Sequence, residues 1–124
     1  MDIVFVGLAG FFGAISRYLL YLLEPSIHTQ NFPYGTLFIN LIGCLVAGIL
    51  FGIATRVSPE YKHYITLILI GFVGSFTTFS TFSVETLNLI ETSSFTKVSL
   101  SVGANVIGGI FMVWIGRAGT QLNL

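Results

Sequence analysis

Gly71-Phe72-Val73-Gly74-Ser75-Phe76-Thr77-Thr78-Phe79-Ser80-Thr81-Phe82-Ser83-Val84-Glu85 is the stretch that decides how this chain folds. It lies inside an apolar segment from about Tyr64 to Ile90, longer than the roughly 20 residues a membrane-spanning helix needs. Two glycines and six hydroxyls (Ser75, Thr77, Thr78, Ser80, Thr81, Ser83) fall at its middle. Polar side chains at membrane depth are costly unless they face protein or water. Serine and threonine hydroxyls also bond back to helix carbonyls and loosen the helix. With the surplus length, this composition predicts a helix broken between Gly74 and Thr78. Non-helical backbone at that depth is tolerated only where it is buried in protein or lines a cavity. Carbonyls freed at such a break can bind a cation. The competing reading is a continuous helix whose hydroxyls satisfy themselves.

Three further apolar segments flank this one, at about Ile3 to Leu23, Tyr34 to Thr55 and Val98 to Ile115. The only charges inside the four are Arg17 in the first and Glu85 in the third. The expected fold is therefore all-α and integral to the membrane, a single domain over 1–124 with four transmembrane helices, the third of them broken. Composition agrees. Hydrophobic residues make up 54% and charged residues 8%, against roughly 25% in a soluble domain, and mean hydropathy is +0.91. Five acidic and five basic residues are too few for a water-facing surface, and nothing basic clusters as a nucleic-acid site requires. The links at Glu24-Pro25, Ser58 to His63 and Glu91 to Ser94 leave no room for an aqueous active site. No P-loop, HExxH, nucleophile elbow or His/Cys cluster is present. His28 and His63 fall in the links and read as solvated. Cys44 stands alone, so it forms neither an intrachain disulfide nor a metal site. Asp2 and the length of the first apolar run argue for a retained helix rather than a cleaved signal.

An even number of spans puts both termini on one side with Arg56, Lys62 and Arg117, facing Lys97 and, if it snorkels, Arg17. That small imbalance of positive charge permits insertion in either orientation. Glycines recur within the spans: Gly7, Gly10 and Gly13, then Gly48 and Gly52, then Gly103, Gly108 and Gly109. Small residues allow helix backbones to approach, either within one chain or between subunits. Four short helices hardly enclose a polar path alone, which favours an oligomer.

Beyond the expected break, Phe79 and Phe82 share a helix face, and Thr78, Thr81, Glu85 and Asn88 form a separate polar stripe. Phenyl edges are weakly positive and can meet an anion without a full charge; two such residues are more commonly core or lipid contacts. Asn40, on the face of Cys44, Ala47 and Gly48, offers two N–H donors in the second span, or simply an interhelical bond. Ser101, Asn105 and Gly109 recur every four residues in the fourth, where Asn105 reads equally as packing glue. Arg17, about 9 Å from its helix end, either snorkels or sets a positive potential in a vestibule.

Three segments in order resemble the Fluc/CrcB family: Gly10-Phe11-Phe12-Gly13-Ala14-Ile15-Ser16-Arg17-Tyr18, with Ala9 replacing the first of a usual glycine pair; Gly35-Thr36-Leu37-Phe38-Ile39-Asn40-Leu41-Ile42-Gly43; and Gly74 to Phe82, where Thr77-Thr78-Phe79-Ser80-Thr81-Phe82 matches fully. The resemblance covers essentially the whole chain. It implies a fluoride-selective passive ion channel, multi-pass in the bacterial plasma membrane, that exports fluoride and relieves its toxicity. It implies an antiparallel, dual-topology homodimer with two pores. Phe79 and Phe82 would line the fluoride pathway with Ser80 and Thr81, and Asn40 would donate a hydrogen bond to the ion. Arg17 would sit at a vestibule. Backbone carbonyls of Gly74 and Thr77 would hold a central structural sodium ion.

One departure stands out. Relatives often carry a hydroxyl near the positions of Gly109 or Val113, and this chain does not; either Ser101 or hydroxyls of the third span replace that donor, or one pore is altered. Some relatives work as a pair of different chains, so the resemblance also allows a heteromeric partner. Two other readings compete. A small drug/proton antiporter needs a mid-membrane carboxylate, whereas the first span has none and Glu85 lies toward the end of the third. A glycine-faced membrane scaffold leaves the polar, overlong third span unexplained.

Overall fold

The computed structural model describes residues 1–23, 32–92 and 95–122. The helix end expected at Glu24-Pro25, the histidine His28 and Ser93-Ser94 lie outside the described residues. The elements are α1 (Asp2–Leu23), α2 (Tyr34–Ala54), α3 (Pro59–Ile68), a π-helical turn (Leu69–Val73), α4 (Gly74–Phe76), α5 (Phe79–Thr92) and α6 (Phe95–Leu122). They compose four helical stretches long and apolar enough to cross a membrane; the third, Pro59–Thr92, carries the break.

Two stretches run past their apolar windows. The third begins at Pro59 rather than near Tyr64, so most of the expected Ser58 to His63 link is helical. Ser58 is extended, Pro59 takes the first turn where its missing N–H costs nothing, and Glu60 complements the helix dipole. His63 is accordingly an exposed helical residue, 3.0 Å from Asp2 at the start of α1. The fourth runs from Phe95 to Leu122 rather than Val98 to Ile115. Hydropathy marks the part of a helix that suits lipid, whereas the last two turns continue because they pack on α2, where Gly52 faces Thr120 and Arg117 lies over the Phe51 ring.

Glycine decides which helices touch. The α2 and α6 helices run in the same direction with a constant offset of 65 positions, Asn40 beside Asn105, Cys44 beside Gly109 and Gly48 beside Val113. A Cβ on Gly48 would collide with the Val113 carbonyl, and one on Gly116 with that of Leu45. Helix α1 packs on the third stretch before its break. There a Cβ on Gly13 would strike Phe72, and one on Gly71 would lie 2.6 Å from the Val6 carbonyl. At these positions the small residues therefore join helices of a single chain. Gly7 and Gly103 have nothing within 4 Å. The α1 and α6 helices leave broad apolar faces exposed, including Leu8, Phe11, Phe12, Ile107, Ile110 and Trp114. The innermost side chains are Ile39, Thr36 and Ser101.

Gly48→Ala is expected to destabilise the protein by about 1–3 kcal/mol, because backbone rather than a side chain must give way. Gly7→Ala, with open space around it, should leave Tm unchanged or slightly raised. Thermal unfolding of the detergent-solubilised protein distinguishes the two.

Candidate functional site: a broken helix held by an asparagine

The break begins with a π-helical turn, in which the Gly74 N–H reaches back to the Leu69 carbonyl. The Thr77 N–H and Oγ1 both donate to the Val73 carbonyl, at 3.0 and 2.9 Å, and close the first half. Thr77 then turns extended, with φ −76° and ψ 161°. In a continued helix the Thr78 N–H would donate to the Gly74 carbonyl. It donates instead to Asn40 Oδ1 at 2.9 Å, while Asn40 Nδ2 donates to the Thr78 carbonyl at 3.2 Å. The side-chain amide of Asn40 thus pairs with both backbone groups of Thr78. Its orientation follows, since only the oxygen can accept an N–H. Thr78 Oγ1 accepts from the Thr81 N–H at 3.2 Å and so caps the start of α5.

The same amide reaches a third element. Asn40 Nδ2 donates to Asn105 Oδ1 at 3.0 Å, and Asn105 Nδ2 donates to the Ser101 carbonyl at 3.0 Å. Beside this network lies a cleft of about 220 Å³ lined by Asn40, Cys44, Thr77, Thr78, Phe79, Phe82, Asn105 and Val106. Its walls carry amides, hydroxyls and phenyl rings but no formal charge. The Phe79 and Phe82 rings lie 5.7 Å apart and tilted by 52°. Phe82 is buried, whereas Phe79 is 79% exposed and projects from the chain. Positive charge stands next to the cleft: Arg17 Nη1 donates to the Thr77 carbonyl at 3.4 Å, at the negative end of the first half-helix. The side chain turns to the break rather than to its own helix end.

A family model described as "CrcB-like protein, Camphor Resistance (CrcB)" matches residues 4–117. The chain belongs to this CrcB-like family. Among curated relatives, the "Fluoride-specific ion channel FluC" of Shewanella woodyi is 41% identical over 118 residues, 94% of this chain and 93% of that protein. That of Shewanella loihica is 38% identical over the same length and the same shares. The "Fluoride-specific ion channel FluC 1" of Bacillus cereus is 44% identical over 113 residues, 91% of this chain and 78% of that protein.

In this CrcB-like chain, Asn40, Thr77, Phe79 and Phe82 come together in the cleft wall. Ser80 and Thr81 stand in the first turn of α5, their hydroxyls 3.4 and 2.9 Å from Thr78 Oγ1 rather than in the wall. Gly74 lies exposed one turn before the break. The polar line continues along α2, where Thr36 Oγ1 donates to Glu85 Oε1 at 2.9 Å and lies 3.1 Å from the Tyr21 hydroxyl. Extending the α2–α6 offset puts the buried Ser101 level with Thr36; among the described residues its hydroxyl has no hydrogen-bond partner. In the fourth span the missing hydroxyl has a steric counterpart, since even a Cβ on Gly109 would lie 3.2 Å from Cys44 Sγ. From its sequence Asn105 reads equally as glue or site. Its four-residue spacing from Ser101 and Gly109 is the available signal, and its pairing with Asn40 is a tertiary fact.

Asn40→Ala removes the partner of both Thr78 backbone groups. Leaving them unsatisfied should cost about 1–3 kcal/mol per group, read as a lowered unfolding midpoint. A midpoint equal to wild type would show that the break holds without Asn40.

Proposed function

We propose that this chain is a fluoride-selective passive ion channel, not an enzyme, that lets fluoride out of the bacterial cytoplasm across the plasma membrane. The observation that carries this reading is the uncharged cleft lined by amides, hydroxyls and phenyl rings beside a broken helix. Relatives named as fluoride-specific ion channels support it. Fluoride is small and strongly hydrated, so a pathway must replace its water with many donors, none so strong that the ion stays. Arg17 raises the local concentration of anions. The Asn40 amide donates to the ion, the weakly positive edges of the Phe79 and Phe82 rings would follow, and the hydroxyls of Ser80 and Thr81 stand at the start of α5. Gradient and membrane potential drive the flow.

The working unit on this reading is an antiparallel homodimer of dual-topology chains with two pores. In one chain Phe79 of the cleft wall is left largely exposed, as a residue awaiting a second copy would be, and the weak charge bias suits both insertions. A structural sodium ion fits the donor chemistry at the break. Diverting the Thr78 N–H to Asn40 leaves the Gly74 carbonyl without its helical donor, and carbonyl oxygens are the hard ligands such a cation takes. Gly74 and Thr77 would hold it, together with the same groups of a second copy, since one chain supplies too few. Sodium, when bound, would offset the partial negative charge of these carbonyls. Arg17, which donates to the Thr77 carbonyl, stands beside that position. Proton-coupled antiport is disfavoured because Glu85 lies well past the break and is bonded to Thr36.

Purified protein in liposomes should release trapped fluoride and retain chloride. Absence of fluoride efflux from folded, dimeric protein rejects the proposal. Phe79→Ile and Phe82→Ile should each lower flux by about tenfold, the worth of roughly 1.4 kcal/mol of aromatic contact, with assembly intact. Wild-type flux in both would remove the rings from the pathway.

A further inference from the structure

We infer that Asn105 positions the Asn40 amide and is the group a permeating anion must displace to reach it. This rests on the fluoride-channel reading above. An asparagine amide has two N–H donors and one carbonyl, and every one of Asn40's is engaged. Its carbonyl accepts from the Thr78 N–H at 2.9 Å; one N–H donates to the Thr78 carbonyl at 3.2 Å, the other to Asn105 Oδ1 at 3.0 Å. As it stands, Asn40 lines the cleft with no donor to spare for an ion.

The two acceptors differ in how they can yield. The Thr78 carbonyl is backbone at the break, and moving it means moving the start of α5. Asn105 Oδ1 ends a side chain on α6, held on its other side by one bond from Nδ2 to the Ser101 carbonyl of its own helix. A side-chain rotation releases it. That rotation opens the second N–H of Asn40 to the cleft, and it can turn an N–H of Asn105 toward the same space, since both residues line it.

This arrangement also discriminates between anions. A neutral amide–amide bond must be given up, and an anion–amide bond, roughly twice as strong, replaces it. Fluoride, compact and strongly basic as an acceptor, gains from the exchange. Chloride, larger and a weaker acceptor, gains less and leaves the amide pair closed. The Asn40–Asn105 bond is then a threshold for entry, a device of specificity rather than affinity.

Fluoride and chloride efflux from liposomes, measured over a range of fluoride concentrations, tests the inference. Asn105→Ala removes the competitor, so the half-saturating fluoride concentration should fall about three- to tenfold, the worth of one such bond, and chloride should begin to leak. Asn105→Asp keeps the shape but binds the Asn40 N–H through a charge and offers no donor; fluoride flux should fall at least tenfold, by roughly the extra strength of a charged bond. A merely structural role would lower maximal flux without moving half-saturation or chloride exclusion. As a measurement free of any substitution, fluoride titrated into ¹⁵N-labelled wild-type protein should shift the side-chain amide resonances of Asn40 and Asn105 together. Unchanged half-saturation and chloride exclusion in Asn105→Ala, wild-type flux in Asn105→Asp, or a shift at Asn40 alone overturns the inference. Wild-type protein that carries no fluoride overturns the channel reading instead.

Discussion

The structure depends on one side chain standing in for a peptide group. A helix broken within a membrane span exposes an N–H and a C=O where no water offers a partner, and each such group costs about 1–3 kcal/mol if left alone. Asn40 meets both groups of Thr78 with a single amide, at 2.9 and 3.2 Å. An aliphatic residue there would leave the extended geometry at Thr77 without compensation. A carboxylate would accept from one group and repel the other. The amide carries donor and acceptor side by side in one plane and so mimics the missing backbone on both counts.

That pairing fixes how the spans assemble around the break. Asn40 must reach Thr78, so α2 must cross the break closely, and α6 must come nearly as near for Asn105 to reach Asn40. The glycines supply this approach: Gly48, Gly109 and Gly116 remove the side chains that would otherwise part α2 from α6. The polar groups then fall into register along two parallel helices, Asn40 with Asn105 and Thr36 level with Ser101. The two half-helices also leave opposite partial charges at the break. The C-terminal end of α4 meets the Arg17 guanidinium, while the N-terminal end of α5 begins at the cleft beside Phe79. A helix N-terminus favours negative charge, so this end adds positive potential to a wall that carries no formal charge.

Much of this was legible in the sequence. Four apolar segments and scarce charge gave the spans, because hydropathy and length report directly on lipid. The overlong third segment with hydroxyls clustered at its centre gave the break, because neither feature suits an uninterrupted helix in lipid. Helix ends beyond the apolar windows were not legible, since Pro59 to His63 form helix through the cap at their start and Arg117 to Gln121 through packing on α2. The role of Asn40 in satisfying the break was not legible either. A polar residue in a span signals that a partner exists, but naming Thr78 requires knowing which turn of α2 faces the break. Asn105 and Cys44 entered the cleft for the same tertiary reason.

A consequence follows for how such a site can work. Groups that hold a break together cannot also be freely available to a passing ion, because donors engaged in the fold are by definition occupied. The chain separates the two demands within one residue. The oxygen and one N–H of Asn40 serve the backbone, and the remaining N–H meets only another side chain, Asn105, which can yield without disturbing the helix. On the proposed reading, stability then resides in the pair of bonds to Thr78 and permeation in the bond to Asn105. On the same reading the fold stays rigid while one donor serves the ion repeatedly, and the phenyl rings beside it, unable to form strong bonds, would keep each contact brief.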